Sequence, residues 1–282
     1  MSFTTFIPAN EAAKHIHDPN WVFVDCRFLL MDTEKGERDY AVSHIAGAAY
    51  AHLDRDLSGK IIKGATGRHP LPEKGALVKT LSALGIDNAK QVVVYDEVSG
   101  NLAACRLWWL LRWAGHKNVA VLDGGLKAWN AANLPTQGGV ETYPPREFVA
   151  HWHDELIAEA DEIEKHLGDP DFVLMDVRAA DRYRGENEVI DPIAGHIPSA
   201  VSAPSANDIA ADGRIKTAEE LRQAWGSIRP EDTVAYCGSG VTAAYKALAF
   251  AHAGLALPRI YPGSWSEWIT DANKPIAVGN ER

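Results

Sequence analysis

Trp21-Val-Phe-Val-Asp25-Cys-Arg27 recurs in the second half of the chain as Phe172-Val-Leu-Met-Asp176-Val-Arg178, each an apolar run closed by Asp-x-Arg. Three further blocks repeat in the same order. Ser43-His44-Ile-Ala-Gly-Ala48 matches Gly195-His196-Ile-Pro-Ser-Ala200, and Val92-Val-Val-Tyr95-Asp96 matches Thr233-Val-Ala-Tyr236-Cys237. Asp123-Gly-Gly125-Leu-Lys-Ala-Trp129 matches Pro262-Gly263-Ser-Trp-Ser-Glu-Trp268, with Asn133-Leu-Pro135 and Asn273-Lys-Pro275 following. Ordered blocks with drifting spacing indicate a duplicated domain whose loops have changed length. The Gly/Pro-rich stretch Gln137–Arg146 has no period of its own and separates the copies, which places the domains at 1–140 and 150–282. Short continuous apolar runs (Val22–Val24, Val92–Tyr95, Ala120–Leu122, Val173–Met175, Val234–Tyr236) predict strands covered on both faces. Helical stretches such as Ala103–Trp113 and Thr242–Ala253 lie between them. The expected fold is therefore α/β, two tandem domains, each a mostly parallel sheet flanked by helices.

A chain of 282 residues suits two domains, and 46% hydrophobic with 23% charged residues excludes wholesale disorder. The 28 basic and 38 acidic residues give a net charge of −10. The first 145 residues are balanced, 15 of each sign, so the excess sits in the second half. Nucleic acid is excluded as a partner by that field. Met1–Asn10 shows neither the basic nor the apolar region of a secretory signal, and no apolar run reaches the length of a membrane span. Cys26, Cys105 and Cys237 are scattered, without a Cys-x-x-Cys pair. That pattern predicts neither a disulfide framework nor a metal site, and suits a reducing cytoplasm.

Cys237 closes a strand and opens the small-residue loop Gly238-Ser239-Gly240-Val241-Thr242 before a helix. Ligands of open α/β sheets gather at the carboxyl ends of strands. Successive N–H groups of such a loop, together with the helix N-terminus, form an anion cradle that favours thiolate and would also hold a persulfide. Cys26 and Cys105 lie in apolar segments and read as core. The twin of Cys237 is Asp96, which cannot carry sulfur. One half is thus expected to hold the chemistry and the other to lack it.

On these features the sequence resembles the two-domain sulfurtransferases of the rhodanese family over its whole length. Members of that family carry the cysteine in a six-residue loop of the second domain and an inactive loop in the first. Cys237-Gly-Ser-Gly-Val-Thr242 is similar to the loop of members that use mercaptopyruvate. Thiosulfate-using members usually have basic side chains where Gly238 and Ser239 stand, as a compact dianion requires. The resemblance further implies that Arg182, and more loosely Arg184, hold the donor's carboxylate through the guanidinium fork. The segment around Glu188-Val-Ile-Asp191 lacks the family's second arginine. It also implies a relay in which Ser239, His69 (in Gly67-Arg-His-Pro70) and Asp54 move a proton. Arg178, His44 and His196 recur in both halves and read as scaffold, and the Trp-rich Gly263–Trp268 segment reads as packing for the same reason.

The implied reaction is a two-step transfer. The Cys237 thiolate takes sulfur from 3-mercaptopyruvate, pyruvate leaves, and a thiophilic acceptor such as cyanide, a small thiol or thioredoxin removes the outer sulfur. No metal or organic cofactor is expected. Thiosulfate is the rival donor. Phosphatase chemistry is disfavoured, because Ala243 stands where that chemistry needs an arginine. A non-enzymatic binding module would require that small donors give no turnover.

Overall fold

The computed structural model describes residues 2–280. Two compact units emerge. The first comprises Met1–Gly59, Leu71–His153 and Ala210–Ile215, and the second comprises Lys60–Pro70, Asp154–Ile209 and Lys216–Arg282. Neither is contiguous: a short piece of each sequence half belongs to the other half's unit.

The first unit carries β1 (Phe6–Pro8), β2 (Trp21–Asp25), β3 (His44–Ile45), β4 (Ala49–Tyr50), β5 (Gln91–Tyr95), β6 (Val119–Asp123) and β7 (Thr136–Gln137). Its helices are α1 (Ala9–Ala12), α2 (Lys35–Val42), α3 (Leu53–Asp56), α4 (Lys74–Ala83), α5 (Ala103–Trp113) and α6 (Gly125–Ala131). The main sheet is parallel in the order β1-β6-β5-β2-β4, and β3 pairs antiparallel with β7. Strand β5 is buried at every residue, the outcome expected of an unbroken Val-Val-Val run covered by helices on both faces. Helix α5 is buried except at Arg112.

The second unit carries β8 (Val173–Asp176), β9 (Val201–Ser202), β10 (Thr233–Tyr236) and β11 (Arg259–Ile260) in the parallel order β11-β10-β8-β9. Its helices are α7 (Ala160–Lys165), α8 (Ala180–Arg184), α9 (Ala218–Trp225), α10 (Ala243–His252) and α11 (Ser264–Trp268). Its core joins Leu174, Val234, Tyr236, Tyr261, Trp265 and Trp268. The predicted strands and helices all form, most of them a residue longer or shorter at an end.

The repeated motifs make the same bonds twice. Arg27 Nε bridges both carboxylate oxygens of Asp25 and its Nη2 donates to the Ser43 carbonyl; Arg178 does the same with Asp176 and the Gly195 carbonyl. His44 Nδ1 lies 2.8 Å from the Tyr40 carbonyl and His196 Nδ1 lies 2.8 Å from that of Tyr183, each ring stacked on that tyrosine. The Trp129 and Trp268 indoles donate to the carbonyls of Pro135 and Pro275. These residues hold loops to strand ends, which is why they recur whether or not the half carries a cysteine. Cys26 and Cys105 are fully buried, in keeping with their reading as core.

Candidate active site

The site is built at the carboxyl end of β10. The strand ends at Tyr236, the chain turns through Cys237–Thr242, and α10 begins at Ala243. Gly240 has φ +76, and a Cβ there would stand 2.1 Å from the Pro262 carbonyl oxygen, so only glycine closes this turn. Its N–H points back at the cysteine, 3.1 Å from Sγ. Cys237 is 3% exposed, with Ser239 and Val241 nearly as buried, while Thr242 is part-exposed at the start of α10. The sulfur thus lies in a nearly closed site with a backbone N–H directed at it.

Segment 60–70 brings His69 to this loop. His69 is buried, and its Nδ1 shares a 2.8 Å hydrogen bond with Ser239 Oγ. The segment is held by two hydrogen bonds and packs closely at Gly67. The Arg68 N–H donates to Ser266 Oγ, the Glu267 carboxylate accepts the Gly67 N–H, and a Cβ at Gly67 would stand 2.6 Å from the Gly263 carbonyl oxygen. Burial pushes the Glu267 carboxyl above its ordinary range, opposed by the Tyr261 hydroxyl and the Gly67 amide.

Positive charge arrives at Gly238 from two directions. A Cβ on Gly238 would lie 2.9 Å from Arg68 Nη2 and 3.6 Å from both terminal nitrogens of Arg182. The basic group absent from the loop's own sequence is thus replaced by two guanidinium groups from elsewhere. Both are steadied by carboxylates. Arg182 Nε and Nη2 bond Glu188 at 3.0 Å, and Nη2 also bonds Asp191 at 3.0 Å, while Nη1 takes part in none of these bonds. Arg68 Nη1 pairs with the same Asp191, and Arg68 Nε is buried without a partner. Burial raises the Asp191 carboxyl above its ordinary range even between two arginines. Glu188 is also penalised by burial, but the amides of Asp191 and Ile190 and the Arg182 guanidinium hold it below its ordinary range.

Arg184 does not join this group. It binds Glu186 through two hydrogen bonds at the end of α8. Arg68, one residue before His69, lies beside Gly238 instead. Asp54 lies in the first unit on α3, with its N–H donated to His52 Nδ1 and its side chain largely exposed. Burial of part of its carboxyl raises its affinity for a proton, opposed by His52.

In the first unit the equivalent loop follows β5. Asp96 stands at the cysteine's position, and its carboxylate accepts the amides of Gly100 at 2.8 Å, Leu102 at 3.2 Å and Val98 at 3.3 Å. The anion cradle exists there and a side chain of the loop itself occupies it. A cavity lined by Phe28, Leu29, Asp96, Val98 and Leu102 adjoins this loop.

Two parallel α/β units of one design, one of them with a buried cysteine at a strand end whose sulfur meets the Gly240 amide, mark a duplicated α/β enzyme domain. The description "Rhodanese-like domain" fits residues 8–132 and again residues 159–271, so the chain belongs to the rhodanese-like family. It is 45% identical to the probable 3-mercaptopyruvate sulfurtransferase of Pseudomonas aeruginosa, over 99% of this chain and the whole of that protein. It is 37% identical to a putative thiosulfate sulfurtransferase of Mycobacterium tuberculosis, over 97% of this chain and 96% of that protein. Among solved structures, the 3-mercaptopyruvate sulfurtransferase of Leishmania major superposes with a TM-score of 0.83 at 32% identity, covering 97% of this chain and 76% of the other.

Among the described residues no helix is long and apolar enough to cross a membrane, and no cluster of His, Cys, Asp or Glu has the makings of a metal site.

Proposed function

We propose that this chain is a sulfurtransferase that takes sulfur from 3-mercaptopyruvate onto Cys237 and passes it to a thiophilic acceptor. In the first step the Cys237 thiolate attacks the donor sulfur, an S–S bond forms, and the donor's C–S bond breaks with its electron pair moving to carbon. The resulting enolate of pyruvate takes up the proton released from the donor thiol, leaving an anionic persulfide. In the second step cyanide, a small thiol or thioredoxin removes the outer sulfur and regenerates the thiolate. No cofactor enters either step. We place this chemistry in the cytoplasm.

The observation that carries the choice of donor is the buried Ser239–His69 hydrogen bond. Release of sulfite from thiosulfate needs no proton, whereas release of pyruvate moves one from sulfur to carbon. A hydroxyl and an imidazole in contact beside the cysteine supply a route for it. The assignment of Asp54 to the same relay rests on the family resemblance. Arg182 Nη1 and Arg68 Nη2, both beside Gly238, are the donors assigned to the carboxylate. The neighbouring Asp191 and Glu188 cancel most of the local positive charge, which suits a monoanion better than a dianion.

The test is a steady-state comparison of the two donors with cyanide as acceptor. Mercaptopyruvate is expected to exceed thiosulfate by about tenfold or more in kcat/KM, roughly 1.4 kcal/mol of transition-state preference. A preference for thiosulfate would overturn the donor assignment and favour a pure dianion site. In the same assay Arg68→Ala is expected to raise KM for mercaptopyruvate by about ten- to a hundredfold, the worth of a charge-assisted hydrogen bond. Its kcat should change far less. An unchanged KM would remove Arg68 from the binding role.

A further inference from the structure

We infer that Ser264 is a positioning residue for Cys237, retained against an unfavourable backbone conformation because its hydroxyl fixes the cysteine's main chain. Ser264 has φ +54, a region that residues with a Cβ avoid. Two other non-glycine residues share this sign among those described, Asn133 and Ser199, and both lie at turns that are exposed or part-exposed. Ser264 is fully buried.

The duplicated unit provides the control. The equivalent of Ser264 is Gly125, with φ +59. Both halves make the same clasp just beyond this position. Trp265 N–H donates to the Cys237 carbonyl at 3.0 Å, as Leu126 N–H does to that of Asp96 at 2.9 Å. Ser266 N–H donates to the Gly238 carbonyl at 2.9 Å, as Lys127 N–H does to that of Glu97 at 3.0 Å. The left-handed turn is therefore a property of the fold, and glycine is the residue it favours. The catalytic half departs from glycine and gains two bonds by doing so. Ser264 Oγ donates to the Tyr261 carbonyl at 2.8 Å and accepts the Cys237 N–H at 3.1 Å.

What those bonds achieve follows from their placement. The Trp265 clasp fixes the peptide plane after Cys237, and the Ser264 hydroxyl fixes the plane before it. With both planes held, the Cα–Cβ direction is set and Sγ faces the Gly240 amide. The first unit does not need the second bond, because Asp96 is anchored through its own carboxylate by three amides. A thiol sulfur is a weak acceptor and cannot anchor itself that way. Its aim must come from the main chain.

The inference rests on Cys237 being the nucleophile of the proposed function, but one of its readouts needs no sulfur donor. Ser264→Gly gives the residue the twin already uses, so the variant is expected to melt at or above the wild-type temperature. Its alkylation by iodoacetamide at neutral pH, corrected with a Cys237→Ser control, is expected to slow. Sulfur transfer should lose about ten- to a hundredfold, the scale of a misplaced reacting group. The loss should fall on kcat, with KM for the donor little changed. Ser264→Ala should show the same kinetic loss together with lower stability, because it keeps the Cβ and lacks the hydroxyl. If Ser264→Gly alkylates and turns over like wild type, or if its losses merely track a fall in melting temperature, the hydroxyl is scaffold and the inference fails. Should wild type use neither donor, the alkylation arm still decides the question.

Discussion

Cys237→Ser is expected to abolish sulfur transfer from either donor, by about a thousandfold or more, while leaving the fold intact. The scale is that of removing a nucleophile from a preorganised site. A serine hydroxyl does not ionise in this cradle and has no S–S bond to form. Cys26 and Cys105 cannot take over, since both are fully buried. Two measurements check this: steady-state rates, and the mass of the protein after incubation with donor alone. Wild type should gain one sulfur atom and the variant none. Turnover surviving in Cys237→Ser would sink the two-step mechanism.

The second large effect concerns stability. Lys246 on α10 pairs with Asp208, both essentially inaccessible to water. Its ammonium also lies 3.9 Å from the Trp225 ring centre, while the Trp225 indole donates to the other Asp208 oxygen at 2.8 Å. This triad ties α10, the helix that leaves the catalytic loop, to the turn at Ser205–Asp208 and to α9. Asp208→Ala strands a buried ammonium and is expected to cost about 3–5 kcal/mol, measured by urea unfolding at neutral pH. Burial already lowers the Lys246 affinity for protons, with Asp208 opposing. Removing Asp208 leaves burial unopposed. A lysine that binds its proton less tightly when folded than when unfolded makes stability rise with pH. The variant should therefore regain part of its loss between neutral pH and the ordinary lysine range. Replacing both residues with apolar ones should restore much of the stability, since no charge is then stranded. Wild-type stability in Asp208→Ala would show that the pair contributes nothing.

Most of the fold was readable because duplication repeats its own signals. Asp-x-Arg, His-Ile and the Tyr that ends each central strand recur with the same partners, and internal comparison separates scaffold from chemistry at Cys237 and Asp96. The loop that carries Cys237 was readable for the same reason: its glycines stand at a strand end before a helix. What surrounds it was less so. Segment 60–70 belongs by contacts to the second unit, yet nothing in its composition announces that or singles out Arg68 beside His69. Glu188 and Asp191 looked merely like a stretch lacking an arginine, although they are the carboxylates that hold Arg68 and Arg182 in place. Ser264 hid inside a repeat whose tryptophans do pack as expected. A hydroxyl aimed at a backbone amide leaves no periodic trace.

The carboxylate of Asp96 bears on what a bare anion site costs a fold. Three amides grip it where the sister domain presents a thiol, so the first domain plugs its own loop with a charge it carries everywhere. Such a loop keeps its shape with no visitor present, whereas the loop around Cys237 must borrow its shape from neighbours on other segments.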